Sequence, residues 1–207
     1  MSIKQLDTDE QKVSYGFGLQ FGQQLLKNQF DGLDVNCVSQ GIEDILKSNP
    51  ILIKEAELNQ AYQAIQQQIQ SKMEENAKKT KELSLRFLEE NAKRDGVKLT
   101  ESGLQYEILE SGSGEQPIKE QQVKVHYHGT LISGQVFDSS VERNDPAVFG
   151  LTQVIPGWTE ILQLMVEGDK WRVTIPSELA YGDAGAPPSI PGGAALIFEI
   201  HLIEIIK

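Results

Sequence analysis

The stretch VKVHYHGTLISGQVFDSS, Val123 to Ser140, decides the fold of this chain. Val123, Val125 and Tyr127 alternate with polar neighbours, the period of a half-buried strand. Ser133-Gly134 is a turn signal, and an aromatic-acidic group, Phe137-Asp138-Ser139-Ser140, follows it. The same alternation recurs at Leu104, Tyr106 and Ile108, at Trp171, Val173 and Ile175, and from Leu196 to Ile206. Ser111-Gly112-Ser113-Gly114, Glu167-Gly168-Asp169 and Pro191-Gly192-Gly193 separate these runs. The pattern predicts an antiparallel sheet. Pro156 to Met165 predicts one short helix, with Pro156 suited to its first turn. One helix covering the apolar face of a curved antiparallel sheet is an α+β unit, and it occupies residues 95–207.

Upstream the period changes. Thr8 with Gln11 three residues on reads as a capping box, and Val13, Phe17, Phe21 and Leu25 recur every fourth residue. Gly16, Gly18 and Gly22 interrupt that stripe at about 1 kcal/mol each against Ala. Close approach of another helix, from this chain or a second one, is the usual compensation. Asp34 caps a second helix expected to turn Val35, Val38, Ile42, Ile45 and Leu46 inward, and Pro50 follows it. Residues 1–52 therefore read as an all-α domain. From about Ile53 to Arg94 there is neither Pro nor Gly. Leu58, Tyr62, Ile65, Ile69 and Met73 form a stripe that fades at Asn76 and Thr80 and resumes at Leu83, Phe87 and Leu88. The polar QSKMEENAKKTKE between reads as a solvated rod inside a connecting helix over 53–94; two helices with a frayed joint is the alternative. Asp95-Gly96 is its expected stop.

The chain has 207 residues and a net charge of −11. From Gly96 on lie 15 of the 30 acidic residues but only 7 of the 19 basic ones. A phosphate backbone is repelled by that field, which argues against nucleic acid as a partner. The single cysteine, Cys37, allows no intramolecular disulfide and no thiolate zinc site, and is expected to pack in its helix. No run reaches the ~20 apolar residues that span a bilayer. The opening MSIKQLDTDEQKVSYGFG has no apolar core behind a basic end, so the chain reads as cytoplasmic, or periplasmic if a leader has been removed.

Covalent and metal chemistry find little footing. There is no GxSxG elbow, no HExxH, no phosphate loop and no dinucleotide fingerprint. His126 and His128 share one strand face, with His201 as a conceivable third ligand. No carboxylate partner is evident, and hydrogen-bonded sheet histidines are the plainer reading. No metal and no cofactor are expected. What stands out instead is a set of aromatic residues beside turns: Phe137, Trp158 after Val154-Ile155-Pro156-Gly157, and Tyr181 before a loop rich in Ala, Gly and Pro. Such residues suit an apolar pocket with few polar fixtures, or simply a core.

VKVHYHGTLISGQVFDSSVERNDPAVF, VIPGWTEILQLMVEGDKWRVTIPSELAYG and ALIFEIHLIEI, in that order, resemble the FKBP family of peptidyl-prolyl cis-trans isomerases from about Gly103 to Lys207. SYGFGLQFGQQL and the long helix resemble the N-terminal dimerisation domain of its bacterial FKBP22-like and macrophage-infectivity-potentiator branch. The resemblance implies a catalytic pocket of Tyr127, Phe137, Asp138, Ile155, Trp158, Tyr181 and Phe198. Trp158 is its floor, Tyr181 offers a hydroxyl and Ile155 a backbone N–H to carbonyls, and Asp138 lies at the rim. Arg143, Phe149, Val154 and Ile190 are implied as further substrate- or inhibitor-binding residues. Ala147, Gln153 and Ala186 depart from the familiar aromatic, Glu and His. The implied partners are unfolded proline-containing polypeptides, macrolide inhibitors of the class, and a second copy joined through 1–52 in a V-shaped homodimer that binds clients as a chaperone does. The isolated C-terminal half is expected to suffice for short peptides. A second reading is a binding module of the same fold, a chaperone or adhesion scaffold with little turnover.

Overall fold

The computed structural model describes residues 5–28 and 30–206; residues 1–4, Gln29 and Lys207, at the edges of or within the expected terminal domains, lie outside the described residues. Three helices come first, α1 (Asp9–Lys27), α2 (Val35–Lys47) and α3 (Glu55–Asn91). Seven strands follow: β1 (Lys98–Leu99), β2 (Gln105–Glu110), β3 (Gln122–Leu131), β4 (Val136–Ser139), β5 (Ala147–Gly150), β6 (Lys170–Ile175) and β7 (Leu196–Ile206). Helix α4 (Pro156–Leu162) lies between β5 and β6. The chain divides into two compact units, one up to Ile69 and one from Gln70 onward. α3 is a single helix, not two.

In the first unit local signals act as their chemistry dictates. The Gln11 N–H donates to Thr8 Oγ1 and the Thr8 N–H to Gln11 Oε1, a complete capping box. The Asn36 N–H donates to Asp34 Oδ1 at 2.7 Å, capping α2. The expected burial does not follow. No residue of α1 is buried, and in α2 only Asp44 is. Val35, Ile42, Ile45 and Leu46, expected inward, are exposed, Leu46 by 79%. Cys37 is exposed as well. A Cβ built on Gly16, Gly18 or Gly22 meets nothing within 4 Å, so no helix among the described residues makes the close approach that would offset these glycines.

The second unit has the core. Its sheet runs β1-β2-β6-β7-β3-β4, all antiparallel, with β5 also paired to β3. Alternate residues face one way: Val123, Val125 and Tyr127 of β3, Trp171, Val173 and Ile175 of β6, and Leu196, Phe198, Ile200 and Leu202 of β7. Trp158, Ile161 and Leu162 of α4 close over them. Each fully buried Leu, Ile or Val contributes about 1.5–3 kcal/mol relative to exposure, which makes this face the main source of stability. The opposite face carries charge, with Arg172 bridging Glu199 at 2.7 Å and Glu107 at 3.6 Å.

α3 departs from the sequence expectation in its second half. Its last turns are not a free rod. Ser84 and Asn91 are buried and Ala77, Lys81 and Leu88 half-buried, whereas Leu83 is exposed. The Asn91 side-chain amide donates to Gln105 Oε1 at 2.7 Å, and Gln105 Nε2 donates to the Leu88 carbonyl at 2.8 Å. These bonds end the regular helix at Asn91, before Asp95-Gly96. Gly96, at φ 84°, serves the turn that follows.

Candidate active site

β3 brings Tyr127 to the core face and Gly129 two residues on. β7 sets Phe198 directly opposite Gly129. A Cβ on Gly129 would stand 2.7 Å from Phe137 Cζ and 2.9 Å from Phe198 Cε1, so only glycine lets the two rings meet there. On the other side of β3, β4 pairs Gly129 with Asp138 but Thr130 with Val136, leaving Phe137 as the extra residue of a bulge. Neighbours on a regular strand point to opposite faces. The bulge lets Phe137 and Asp138 line one cavity.

That cavity has a volume of about 490 Å³. Val154 and Ile155 border it where the chain enters α4, and Pro156 at the first turn fixes the entry. Trp158, one turn in, is almost wholly buried. Tyr127, Phe149 and Phe198 stand edge-on to its indole, at centroid distances of 5.4, 5.5 and 5.3 Å. Phe137 meets Phe198 edge-on at 5.5 Å. These are favoured aromatic geometries and hold the indole plane. The indole N–H is buried and meets no acceptor among the described residues. Tyr181, 41% exposed, stands at the mouth after the 3-10 turn Ser177–Leu179. No group among the described residues accepts the Ile155 N–H.

A charged group breaks the apolar wall. The Tyr127 hydroxyl donates to Asp138 Oδ2 at 2.5 Å, and Arg143 Nη1 pairs with Asp138 Oδ1. Arg143 Nη2 donates to the Tyr127 hydroxyl oxygen at 3.0 Å, and its guanidinium lies 5.8 Å from the Tyr127 ring centroid. Burial works to raise the Asp138 carboxyl, but the hydrogen bonds from Tyr127 and Arg143 and the Arg143 charge outweigh it. The carboxyl is held below its ordinary range. Burial, then the bond to Asp138, pushes the Tyr127 phenol up. The bond to Asp138 holds Arg143 protonated. At neutral pH the group is carboxylate, phenol and guanidinium.

Comparison with known proteins agrees with this geometry. Residues 113–203 match the family model described as FKBP-type peptidyl-prolyl cis-trans isomerase, and residues 10–108 the one described as the domain amino terminal to it. The FKBP-type 22 kDa peptidyl-prolyl cis-trans isomerase of Escherichia coli K12 is 43% identical over 206 residues, covering all of both chains. The chain belongs to the FKBP-type peptidyl-prolyl cis-trans isomerase family. Outer membrane protein MIP of Legionella longbeachae is 38% identical, over 98% of this chain and 88% of its own. The crystal structure of FkpA from Escherichia coli aligns with a TM-score of 0.68 at 35% identity, over 97% of this chain and 98% of that one. The protein is thus an isomerase of X–Pro bonds with a helical N-terminal part and an antiparallel α+β part. The expected cytoplasmic location finds no support among these relatives. No helix among the described residues is long and apolar enough to cross a membrane.

Within this FKBP fold the structure brings together Tyr127, Phe137, Asp138, Ile155, Trp158, Tyr181 and Phe198, and with them Phe149 and Val154. Arg143 reaches the cavity through Asp138 and Tyr127 rather than lining it. Ile190 is not in the lining: it is buried in the core, bridged to Ala186. Gln153, singled out in sequence only as a departure, does line the cavity. Gly129 was missed, although a glycine inside an alternating strand is the sign of a close approach. His126 Nδ1 lies 3.1 Å from Ser140 Oγ and His128 Nδ1 2.9 Å from Ser139 Oγ. Ser140 Oγ also accepts the Tyr127 N–H at 2.7 Å, so these side chains hold the strand that carries Asp138.

Proposed function

We propose that this pocket rotates the X–Pro bond without covalent chemistry, with Trp158 as the floor for the proline ring and Tyr127, Phe137, Val154, Ile155 and Phe198 as walls. The observation that carries the reading is the edge-on aromatic cage around Trp158, with the Tyr127–Asp138–Arg143 group as its charged fixture. Resonance makes the barrier to rotation about 18–20 kcal/mol, while the two X–Pro isomers differ by only ~0.5–1 kcal/mol, so rate is the whole problem. The twisted transition state has lost much of the planar amide's resonance and dipole. A dry apolar cavity therefore disfavours the ground state more than the transition state. Hydrogen-bond donors add differential binding when they meet the rotated carbonyl. The Ile155 N–H and the Tyr181 hydroxyl are donors without partners among the described residues, as is the buried Trp158 indole N–H. Asp138 fixes Tyr127 and presents negative charge at the rim, with Arg143 and Phe149 completing it. Macrolide inhibitors of the class would compete for the same cavity.

The first unit points to a homodimer through residues 1–52. Its helices leave Phe17 and Phe21 exposed, and its helix glycines face open space, features that a second copy would cover. Two pockets on one dimer raise the effective concentration at a single unfolded, proline-containing client. The clients would be folding intermediates. Cytoplasm and periplasm are told apart by fractionating cells that express the native gene.

A protease-free proline-peptide assay tests the catalytic reading. Wild type should be active, and Asp138→Ala about tenfold less so, in line with loss of charge-assisted hydrogen bonds. An inactive wild type that still suppresses aggregation would favour the chaperone or adhesion-module reading instead.

A further inference from the structure

The loop that carries Tyr181 leaves the 3-10 turn at Leu179 and rejoins the sheet at Leu196. It is closed on itself by few bonds, chiefly the Gly193 N–H to the Gly182 carbonyl at 2.9 Å and the Ala186–Ile190 bridge. The Gly182 N–H to the Ser177 carbonyl at 2.8 Å, the Gly185 N–H to the Tyr181 carbonyl at 3.1 Å and the buried Ile190 side chain hold it too, and further anchors come from α3. Lys81 Nζ lies 2.9 Å from Glu178 Oε1 and 3.3 Å from Asp183 Oδ1, carboxylates placed just before and just after Tyr181. At the loop's far end the helix backbone comes directly against it. A Cβ on Gly193 would stand 2.6 Å from the Ala77 carbonyl oxygen and 2.9 Å from Lys81 Cβ, and one on Gly192 would stand 3.0 Å from Ala77 Cβ. One turn further along, the Ala195 N–H donates to the buried Ser84 Oγ at 2.9 Å.

Ala77, Lys81, Ser84, Leu88 and Asn91 follow one another at steps of four and three, so they form one face of the helix. Apart from Leu88 that face is small or polar, unlike the hydrophobic stripes elsewhere. It ties down both ends of one loop. We infer that the second half of α3 is part of the isomerase site, with Lys81 and Ser84 as positioning residues that set Tyr181 at the pocket mouth. The inference rests on the reading of Tyr181 as a pocket residue. It changes one sequence expectation: a chain cut at Asp95 loses Lys81 and Ser84, so the isomerase domain that acts on short peptides begins near Gln70. Lys81 acts through Tyr181 and touches no substrate. The Glu178 carboxylate is held below its ordinary range first by its bond to Lys81, so both partners stay charged at neutral pH. The ion pairs are solvent-accessible and each modest, which fits a loop held in place rather than locked.

The test is a double-mutant cycle in the full-length protein, read as KM and kcat for a proline peptide. Lys81→Ala should raise KM about two- to fivefold, the range of exposed ion pairs. Lys81→Arg should restore it, and Lys79→Ala, whose partner Glu75 lies on the same helix, should change nothing. In a Tyr181→Ala background Lys81→Ala should have no further effect, because residues coupled through one backbone segment are non-additive where independent ones add. Wild-type KM should drift toward the Lys81→Ala value as salt approaches ~1 M, where the screening length is about 3 Å. Ser84→Ala should reproduce the KM change without the salt dependence. An unchanged KM in Lys81→Ala, or losses that add in the double variant, overturns the inference. A Tyr181→Ala single variant with wild-type kinetics overturns instead the reading of Tyr181 as a pocket residue.

Discussion

Gly129→Ala is the sharpest perturbation of the pocket, because it adds one methyl group where two walls meet. The new Cβ would stand 2.7 Å from Phe137 Cζ and 2.9 Å from both Phe137 Cε2 and Phe198 Cε1, where ordinary contact begins at 3.4 Å. The Phe137 ring must therefore retreat, by about 0.3 Å to reach 3.0 Å and by about 0.7 Å to reach ordinary contact. Phe198 stands edge-on to both Phe137 and Trp158, so its displacement reaches the floor. Overpacking of this kind costs about 1–3 kcal/mol. If that cost falls on the bound transition state, kcat/KM drops by about 5- to 150-fold at 1.36 kcal/mol per decade. If it falls on folding, the loss appears as a lower Tm instead. Peptide isomerisation and thermal unfolding of the same preparation separate the two. Alanine suits a strand better than glycine, which offsets part of the folding cost, so the larger effect should be on kcat/KM. Gly16→Ala, with open space around its Cβ, is the control and should leave isomerisation unchanged. Wild-type kcat/KM in Gly129→Ala, with an unchanged Tm, would refute the view that this glycine sets the pocket walls.

Further outcomes follow from the geometry. The Asp138 carboxyl is depressed and the Tyr127 phenol raised, so kcat/KM should stay flat from about pH 5 to pH 9. The sign for stability is that of a depressed acid. The Asp138 contribution is fully present above the ordinary carboxylate range and is lost as pH falls through the lowered value, and acid titration of Tm with Asp138→Asn as reference measures it. Phe21→Asp, placed on the exposed apolar face of α1, should shift the sedimentation coefficient from dimer to monomer. It should leave peptide isomerisation intact and slow the catalysed refolding of a proline-limited protein, and equal refolding rates would refute client capture by the dimer.

Much of the fold was legible because its signals are local. The capping box at Thr8 and Gln11, the period-two runs of β3, β6 and β7 and the proline that opens α4 depend on neighbours a few residues away, and each forms as expected. Most of the candidate pocket was legible too, through ordered motifs rather than through periodicity. What the sequence pattern alone did not contain is the reason Phe137 and Asp138 share a cavity. Alternation sends them to opposite faces, and only the pairing of β4 with β3 creates the bulge that reunites them. Nor could it place Ile190, whose loop folds it into the core, or Gly129, whose necessity comes from a ring on β7.

The two halves of the long helix make the same division. Composition and the absence of proline and glycine pointed to one continuous helix, with two helices and a frayed joint as the alternative, and the structure has the single helix. Where that helix lies was a tertiary outcome. Hydrophobic patterning expects Leu83 inside, yet the buried residue is Ser84, because the partner surface is a glycine-rich loop with a backbone N–H to satisfy. A backbone that comes this close is met by small and hydrogen-bonding side chains, and these leave no mark in a hydropathy period. The chain's order of residues determined its elements and its family. Strand register decided which side chains surround Trp158, and the seat of α3 decided which of its own residues are buried, because both depend on pairings between residues that only folding brings together.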